Sequence, residues 1–168
     1  MAALSPQCFG RASRSRTPRP GVFPEGRVRE GTETGGLRAD LCLSFSGLKT
    51  SLLHRVAAEP PQGDDEVAQL ACDYQEAVVD ALVRRCGRAL DATPGAVALA
   101  VGGGVSLDSR LRTALADLCA RRGVRLLLAL PKHCGDNAAM VAGLAGLGRG
   151  VPSPAAFDLE IDPSWAVG

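Results

Sequence analysis

Two short segments in the second half of the chain hold the residues best placed for chemistry. One is Val101-Gly102-Gly103-Gly104-Val105-Ser106-Leu107-Asp108 and the other His133-Cys134-Gly135-Asp136-Asn137-Ala138-Ala139-Met140. Each follows a short apolar run and opens a helical pattern. Glycines let a backbone approach a ligand closely and adopt positive φ, and the start of the following helix favours anions. An acidic side chain at the second turn can cap its helix or offer an oxygen to a metal ion. Strand-to-helix turns built alike and separated by one βαβ crossover lie on the same edge of a parallel sheet, so any chemistry is expected there.

Each segment also has a plainer reading. Gly102 to Asp108 is not a G-x-G-x-x-G fingerprint with a ribose-binding acid, so a tight turn without ligand competes with an anion site. By spacing alone, Asp136 reads as an N-cap before it reads as a metal ligand. His54 and His133 are the only histidines. His133 lies three residues before Asp136, but there is no H-x-x-x-H or H-E-x-x-H, and a partly exposed loop histidine is the simpler reading. Cys134 stands beside a helix start without an evident base, so it reads as packing. Ser46-Gly47-Leu48-Lys49-Thr50 resembles the end of a phosphate loop but lacks the upstream glycine frame and the adjacent G-K-[ST], which excludes a Walker loop.

The elements that must position these turns follow from periodicity. Leu41 to Phe45 reads as a short strand or extended entry, and Ser46 to Val56 as a helix capped by Ser46. Pro60, Pro61 and Gly63 break the chain. A long helix is expected over about Asp64 to Arg88. Three acids fill its first turn, its apolar face is Val67, Leu70, Ala71, Tyr74, Val78, Ala81 and Leu82, and Arg84, Arg85 and Arg88 close it. Pro94-Gly95 turns into a buried strand at Ala96 to Val101. Asp108 caps a helix with Leu111, Leu115 and Leu118 on one face, and Gly123 ends it. Val124 to Leu130 is the next strand, Asp136 caps a third helix through Met140 and Leu144, and Phe157 to Ile161 is a possible last strand ahead of Pro163 and Trp165. The order implies an α/β fold with a parallel sheet and right-handed crossovers.

Bulk composition narrows the classes. At 168 residues the chain suffices for one domain with a core. Lys+Arg and Asp+Glu number 19 and 18, which gives no global attraction to nucleic acid. The longest apolar run, around Val124 to Leu130, is strand-sized, so no membrane span is expected. Cys8, Cys42, Cys72, Cys86, Cys119 and Cys134 form no C-x-x-C pair and read as scattered buried thiols of a reducing compartment. Residues 1–38 carry Pro6, Pro18, Pro20 and Pro24 and seven arginines without hydrophobic period. The first 24 residues lack any acid, which admits an organelle transit peptide. The prolines and glycines would break its amphipathic helix, and a disordered or artefactual leader is favoured, with the folded region at 39–168.

Four stretches, taken together, carry a family resemblance. Leu43-Ser44-Phe45-Ser46-Gly47-Leu48-Lys49-Thr50 is similar to F-S-F-S-G-L-K-T, and Tyr74-Gln75-Glu76-Ala77-Val78-Val79-Asp80 to F-Q-E-A-V-V-D. Val101 to Arg112 resembles V-A-G-G-V-S-A-N-x-x-L-R, and His133 to Ala142 resembles L-C-T-D-N-A-A-M-I-A. These are motifs of the tRNA adenosine threonylcarbamoyltransferases, the TsaD/Gcp family, formerly called O-sialoglycoprotein endopeptidases. The resemblance covers about Asp40 to the C-terminus.

It implies the C-terminal lobe of an actin/hsp70-like ATPase fold. It further implies transfer of a threonylcarbamoyl group from threonylcarbamoyl-adenylate to the adenosine beside the tRNA anticodon. One divalent metal, iron or zinc, and the partner proteins of the modification complex belong to the same implication. Asp136 matches the family's metal-binding aspartate, and Gly103, Gly104 and Asp108 match the turn that binds the adenylate. Two departures stand out. The family's Asn is Asp108 here, which cannot donate a hydrogen bond and would repel a phosphate. The family's H-x-x-x-H metal pair and N-terminal glycine-rich loop have no match in this sequence. The expectation is therefore a truncated member, cytoplasmic or alternatively mitochondrial, that does not turn over alone; the alternative is a non-catalytic half-domain that binds a full-length paralogue or partner.

Overall fold

The computed structural model describes residues 16–28, 38–135 and 138–149. The chain divides between Ala96 and Val97 into two compact units. The first is helical. Helix α1 (Phe45–Ala58) is capped by Ser44, whose extended backbone leaves its Oγ to accept a hydrogen bond from the Gly47 amide at 3.3 Å. The cap is thus Ser44 and not Ser46, which lies inside the first turn. Of the strand or extended entry expected over Leu41 to Phe45, the second holds: a turn at Leu41 leads through an irregular stretch at 42–44 into α1. Pro60 and Pro61 prevent α1 from continuing.

Helix α2 (Asp64–Asp91) runs three residues beyond the expected end. Its start has no side-chain cap from Gly63; Glu66 reaches back to accept from the Gln62 amide at 2.7 Å, with Asp64 and Asp65 also in the first turn. Ala71, Val79 and Ala81 are buried, while Leu70, Tyr74, Ala77 and Val78 are half-buried around the cluster of Phe23, Leu48 and Ala81. Arg85 stands in the last turns of α2, as expected. It is buried, with Nε donating to the Cys42 carbonyl at 2.6 Å. Burial, and then the neighbouring Arg88, Arg27 and Arg84, push its pKa down.

Residues 16–28 lie along α2 as a strap. Phe23 is buried in the core and meets Tyr74 edge to face, with ring centroids 5.3 Å apart. Arg19 donates to Asp73 from its backbone amide (2.8 Å), Nε (2.8 Å) and Nη2 (2.6 Å), and Arg16 pairs with Asp65. Pro18, Pro20 and Pro24 have little backbone freedom to lose, which lowers the entropic cost of ordering so polar a segment. Gly26 closes the strap with φ +62, a backbone that favours glycine, and a Cβ there would come within 2.9 Å of Leu43 Cδ1 and 3.2 Å of Leu48 Cδ1, so those methyls would have to shift.

The second unit is α/β. Strands β1 (Ala98–Val101) and β2 (Arg125–Leu128) pair in parallel, with Ala98 opposite Arg125 and Val101 opposite Leu128. Helix α3 (Ser109–Arg122) makes the crossover and buries Leu111, Leu115, Leu118 and Cys119. Gly123 ends it in the left-handed conformation (φ 65°, ψ 25°), as its position implies. Helix α4 (Ala138–Gly146) follows β2.

The expected βαβ order therefore holds, but the strands are shorter than their apolar runs and not fully buried. Leu127 is 47% and Leu128 37% exposed. A continuous apolar run anticipates cover on both faces, whereas packing by α3 is the helical cover seen over β2 among the described residues. Among those residues no helix is long and apolar enough to cross a membrane. The expected strand at Phe157 to Ile161 lies outside them.

Cys42, Cys72, Cys86, Cys119 and Cys134 are free thiols, in line with the scattered pattern. Burial pushes the Cys72 and Cys119 thiols up, which keeps them neutral packing groups.

Candidate functional site

The site is built at the edge of the second unit where both strands end. β1 delivers the chain into Gly102-Gly103-Gly104, all exposed. Gly103 has φ +84 and ψ 165, a conformation that side-chain-bearing residues rarely adopt. A 3₁₀ turn, Gly104–Leu107, then intervenes before α3; the helix does not open directly from the glycines. Inside it the Ser106 amide donates to the Gly103 carbonyl at 3.0 Å, and the Ser106 hydroxyl donates to the same oxygen at 2.7 Å.

Asp108 ends this turn and starts α3. Its Oδ1 accepts from the Leu111 amide at 2.8 Å, so the carboxylate is an N-cap, half-buried at the mouth of the turn. Cap and ligand contact compete for that oxygen. Its charge is also of the wrong sign for a phosphate and right for the helix dipole.

The second turn lies against the first. The Ala129 amide donates to the Val101 carbonyl at 3.0 Å, carrying the ladder one residue past β2. Pro131–His133 form a further 3₁₀ turn. A Cβ on Gly104 would sit 3.8 Å from the Cys134 carbonyl oxygen, so the two loops are in near contact. His133 is exposed, in keeping with a loop histidine, and Cys134 is buried, in keeping with packing. The contacts between the two loops are thus those of Gly104 and Ser106 with Cys134.

Asp136 lies outside the described residues. Among the described residues no three His, Cys, Asp or Glu side chains come together as a metal-binding group. The Cys134 sulfur is buried in its own loop, 3.4 Å from the Leu130 carbonyl oxygen and 3.7 Å from that of Ala129. The described residues therefore do not by themselves fit a metal centre.

Sequence reasoning missed Ser106 and Arg112 as parts of this edge. Ser106 is 2% exposed and shares a hydrogen bond with Cys134 at 3.4 Å, while Arg112 Nε donates to the Ser106 carbonyl at 2.6 Å. Their only local signal is position, two before and four after Asp108, inside an otherwise ordinary cap.

Fold and site together define a parallel α/β module with a glycine turn at the carboxyl end of its strands. A sequence profile for the tRNA N6-adenosine threonylcarbamoyltransferases (TsaD) matches residues 19–143. The chain is 39% identical over 145 residues to the tRNA N6-adenosine threonylcarbamoyltransferase of Geobacter sp. (strain M21), covering 85% of this chain and 39% of that protein. Against the protein of the same name from Anaeromyxobacter sp. (strain Fw109-5) it is 43% identical over 130 residues, covering 76% and 38%. For that of Aromatoleum aromaticum (strain DSM 19018 / LMG 30748 / EbN1) the values are 38% over 170 residues, covering 98% and 44%. The chain belongs to this TsaD family. It spans about two fifths of the length of these curated relatives. The profile begins at Arg19, the strap residue bound to Asp73, so residues 19–28 of the strap lie within the matched region.

Proposed function

We propose that this chain supplies the C-terminal, adenylate-facing part of a tRNA threonylcarbamoyltransferase, as one lobe of an actin/hsp70-like fold. The observation that carries the reading is the exposed Gly102-Gly103-Gly104 turn, inside the family-matched region, with the loop leading to Asp136 packed beside it. In the reaction, the exocyclic amine of a tRNA adenosine attacks the carbamoyl carbon of threonylcarbamoyl-adenylate. A C–N bond forms, the bond from carbon to the phosphate oxygen breaks, and AMP leaves. The role assigned to this chain is to hold the adenylate at Gly103 and Gly104, where small residues admit the nucleotide close to the backbone.

Asp136 is proposed as one ligand of a divalent ion, iron or zinc. One carboxylate does not complete a metal site, so no step is assigned to an ion on this chain. tRNA and the partner proteins of the modification complex are the proposed partners.

Val105 (55% exposed), Leu127 and Leu130 (59%) support a second reading, a half-domain that docks on a full-length paralogue without catalysing. Sedimentation with the Geobacter relative separates the two; a stable complex without adenylate binding favours docking.

Asp108→Asn tests the first reading. Asn caps a helix about as well as Asp, so the melting temperature is expected to stay within a few degrees. Removal of the negative charge is expected to raise affinity for AMP about tenfold at low salt, or roughly 1.4 kcal/mol. Isothermal titration of both forms measures this, and equal affinities would remove Asp108 from the nucleotide site.

A further inference from the structure

The two turns at the sheet edge are tied by side chains that neither cap a helix nor face solvent. Ser106, from the β1 turn, and Cys134, from the β2 turn, are 28 residues apart in sequence and share a hydrogen bond of 3.4 Å. Both are almost wholly buried. Each also has carbonyl neighbours in its own loop: the Ser106 hydroxyl donates to the Gly103 carbonyl at 2.7 Å, so its oxygen accepts from Cys134, whose single thiol proton is shared between that oxygen and the carbonyls of Leu130 and Ala129. Arg112 braces the arrangement from α3 through the Ser106 carbonyl at 2.6 Å. Its Nη2 is buried without a hydrogen-bond partner among the described residues. A buried guanidinium N–H left in that state is costly, and α3 tolerates it where the Nε bond fixes the turn.

We infer that Ser106 and Cys134, braced by Arg112, are positioning residues that clamp the glycine turn to the loop after β2 and so set the geometry in which Gly103 and Gly104 meet an adenylate. Neither side chain is assigned a contact with the nucleotide. Packing alone would be met by any apolar group of similar size, whereas the clamp needs a hydrogen-bonding group at both positions. The inference rests on the reading of this edge as the adenylate site, and its first readout does not.

Amide hydrogen exchange on the full chain, with AMP as the binding probe, decides it. Cys134→Ala is expected to speed exchange of the Gly103–Leu107 amides about threefold, the scale of one weak hydrogen bond, and to weaken AMP binding by a similar factor. Ser106→Ala is expected to speed exchange at Leu130–Cys134, and the double variant to add little to either single one. Cys134→Ser, which keeps a donor and acceptor, is expected to restore most of both effects. Unchanged exchange in the glycine turn of Cys134→Ala, or failure of Cys134→Ser to rescue it, would overturn the clamp. If Cys134→Ala does not fold, Ser106→Ala tests the same coupling from the other side, and unchanged exchange at Leu130–Cys134 would overturn it there. If the unmodified chain does not bind AMP, the adenylate reading falls, and exchange still decides whether the turns are coupled.

Discussion

Leu48→Ala is expected to lower the stability of the N-terminal unit by about 3 kcal/mol. Leu48 is fully buried and forms the centre of the cluster with Phe23 and Ala81, with Leu43, Leu52, Leu70, Tyr74, Ala77 and Val78 around it. Truncation removes apolar contact and leaves a cavity. The neighbours cannot close it easily, because Gly26 already brings the strap's backbone against the Leu48 methyl. Near-ultraviolet circular dichroism during denaturant unfolding checks this, since Tyr74, the sole tyrosine, stands edge-on to Phe23. A loss under about 1 kcal/mol would mean that strap and helices do not share one core. Leu48 also lies in the S-F-S-G-L-K-T stretch, so part of that motif serves the fold: Ser44 caps α1 and Leu48 fills the core.

Asp73→Asn is expected to cost about 2 kcal/mol at neutral pH and to flatten the acid limb of stability. Burial works against the Asp73 charge, but three hydrogen bonds from Arg19 and one from Gln69 outweigh it and hold the carboxyl below the usual range. A carboxyl depressed on folding contributes stability that is complete above its unfolded value, about 3.9, and is lost as pH falls through the folded value. The strap should therefore loosen below about pH 4 in the unmodified chain. The asparagine variant is weaker at neutrality and less sensitive to acid, as melting temperatures across pH 2.5 to 7 would show (roughly the window of that titration). An equally steep acid limb in both forms would place the acid sensitivity elsewhere.

These two residues also mark where a sequence stops specifying structure locally. α3 is fully legible: Asp108, the Leu111, Leu115 and Leu118 stripe and Gly123 are local signals, and local hydrogen bonds satisfy them. The start of α1 is ambiguous because Ser44 and Ser46 are equally good caps in type; the extended backbone at Ser44 decides it. The strap is hidden by its own composition. Its order depends on one aromatic ring and on an ion pair spanning 54 residues, and neither leaves a period in the sequence. The apolar runs of the strands overstate their burial, because such a run reports hydrophobicity and not how many layers cover it.

The site divides in the same way. The repeated strand-to-helix pattern alone places the glycine turn and its partner loop on one edge. It does not reveal the Ser106–Cys134 bond, which depends on the parallel register of β1 and β2 and on the intervening 3₁₀ turns.

Domain replacement tests the transferase role most directly. The segment of the Geobacter transferase that aligns with this chain would be exchanged for the chain itself, and threonylcarbamoyl transfer to tRNA measured with supplied threonylcarbamoyl-adenylate. Transfer by the chimera is expected, and on the proposal that Asp136 holds the metal ion, Asp136→Ala in the inserted segment is expected to lower it about a hundredfold, the upper end of what disturbing even a ligand's hydrogen-bond partner costs. A chimera that folds, with a cooperative melt, and binds tRNA but transfers nothing would contradict the transferase role and leave the docking half-domain as the better description.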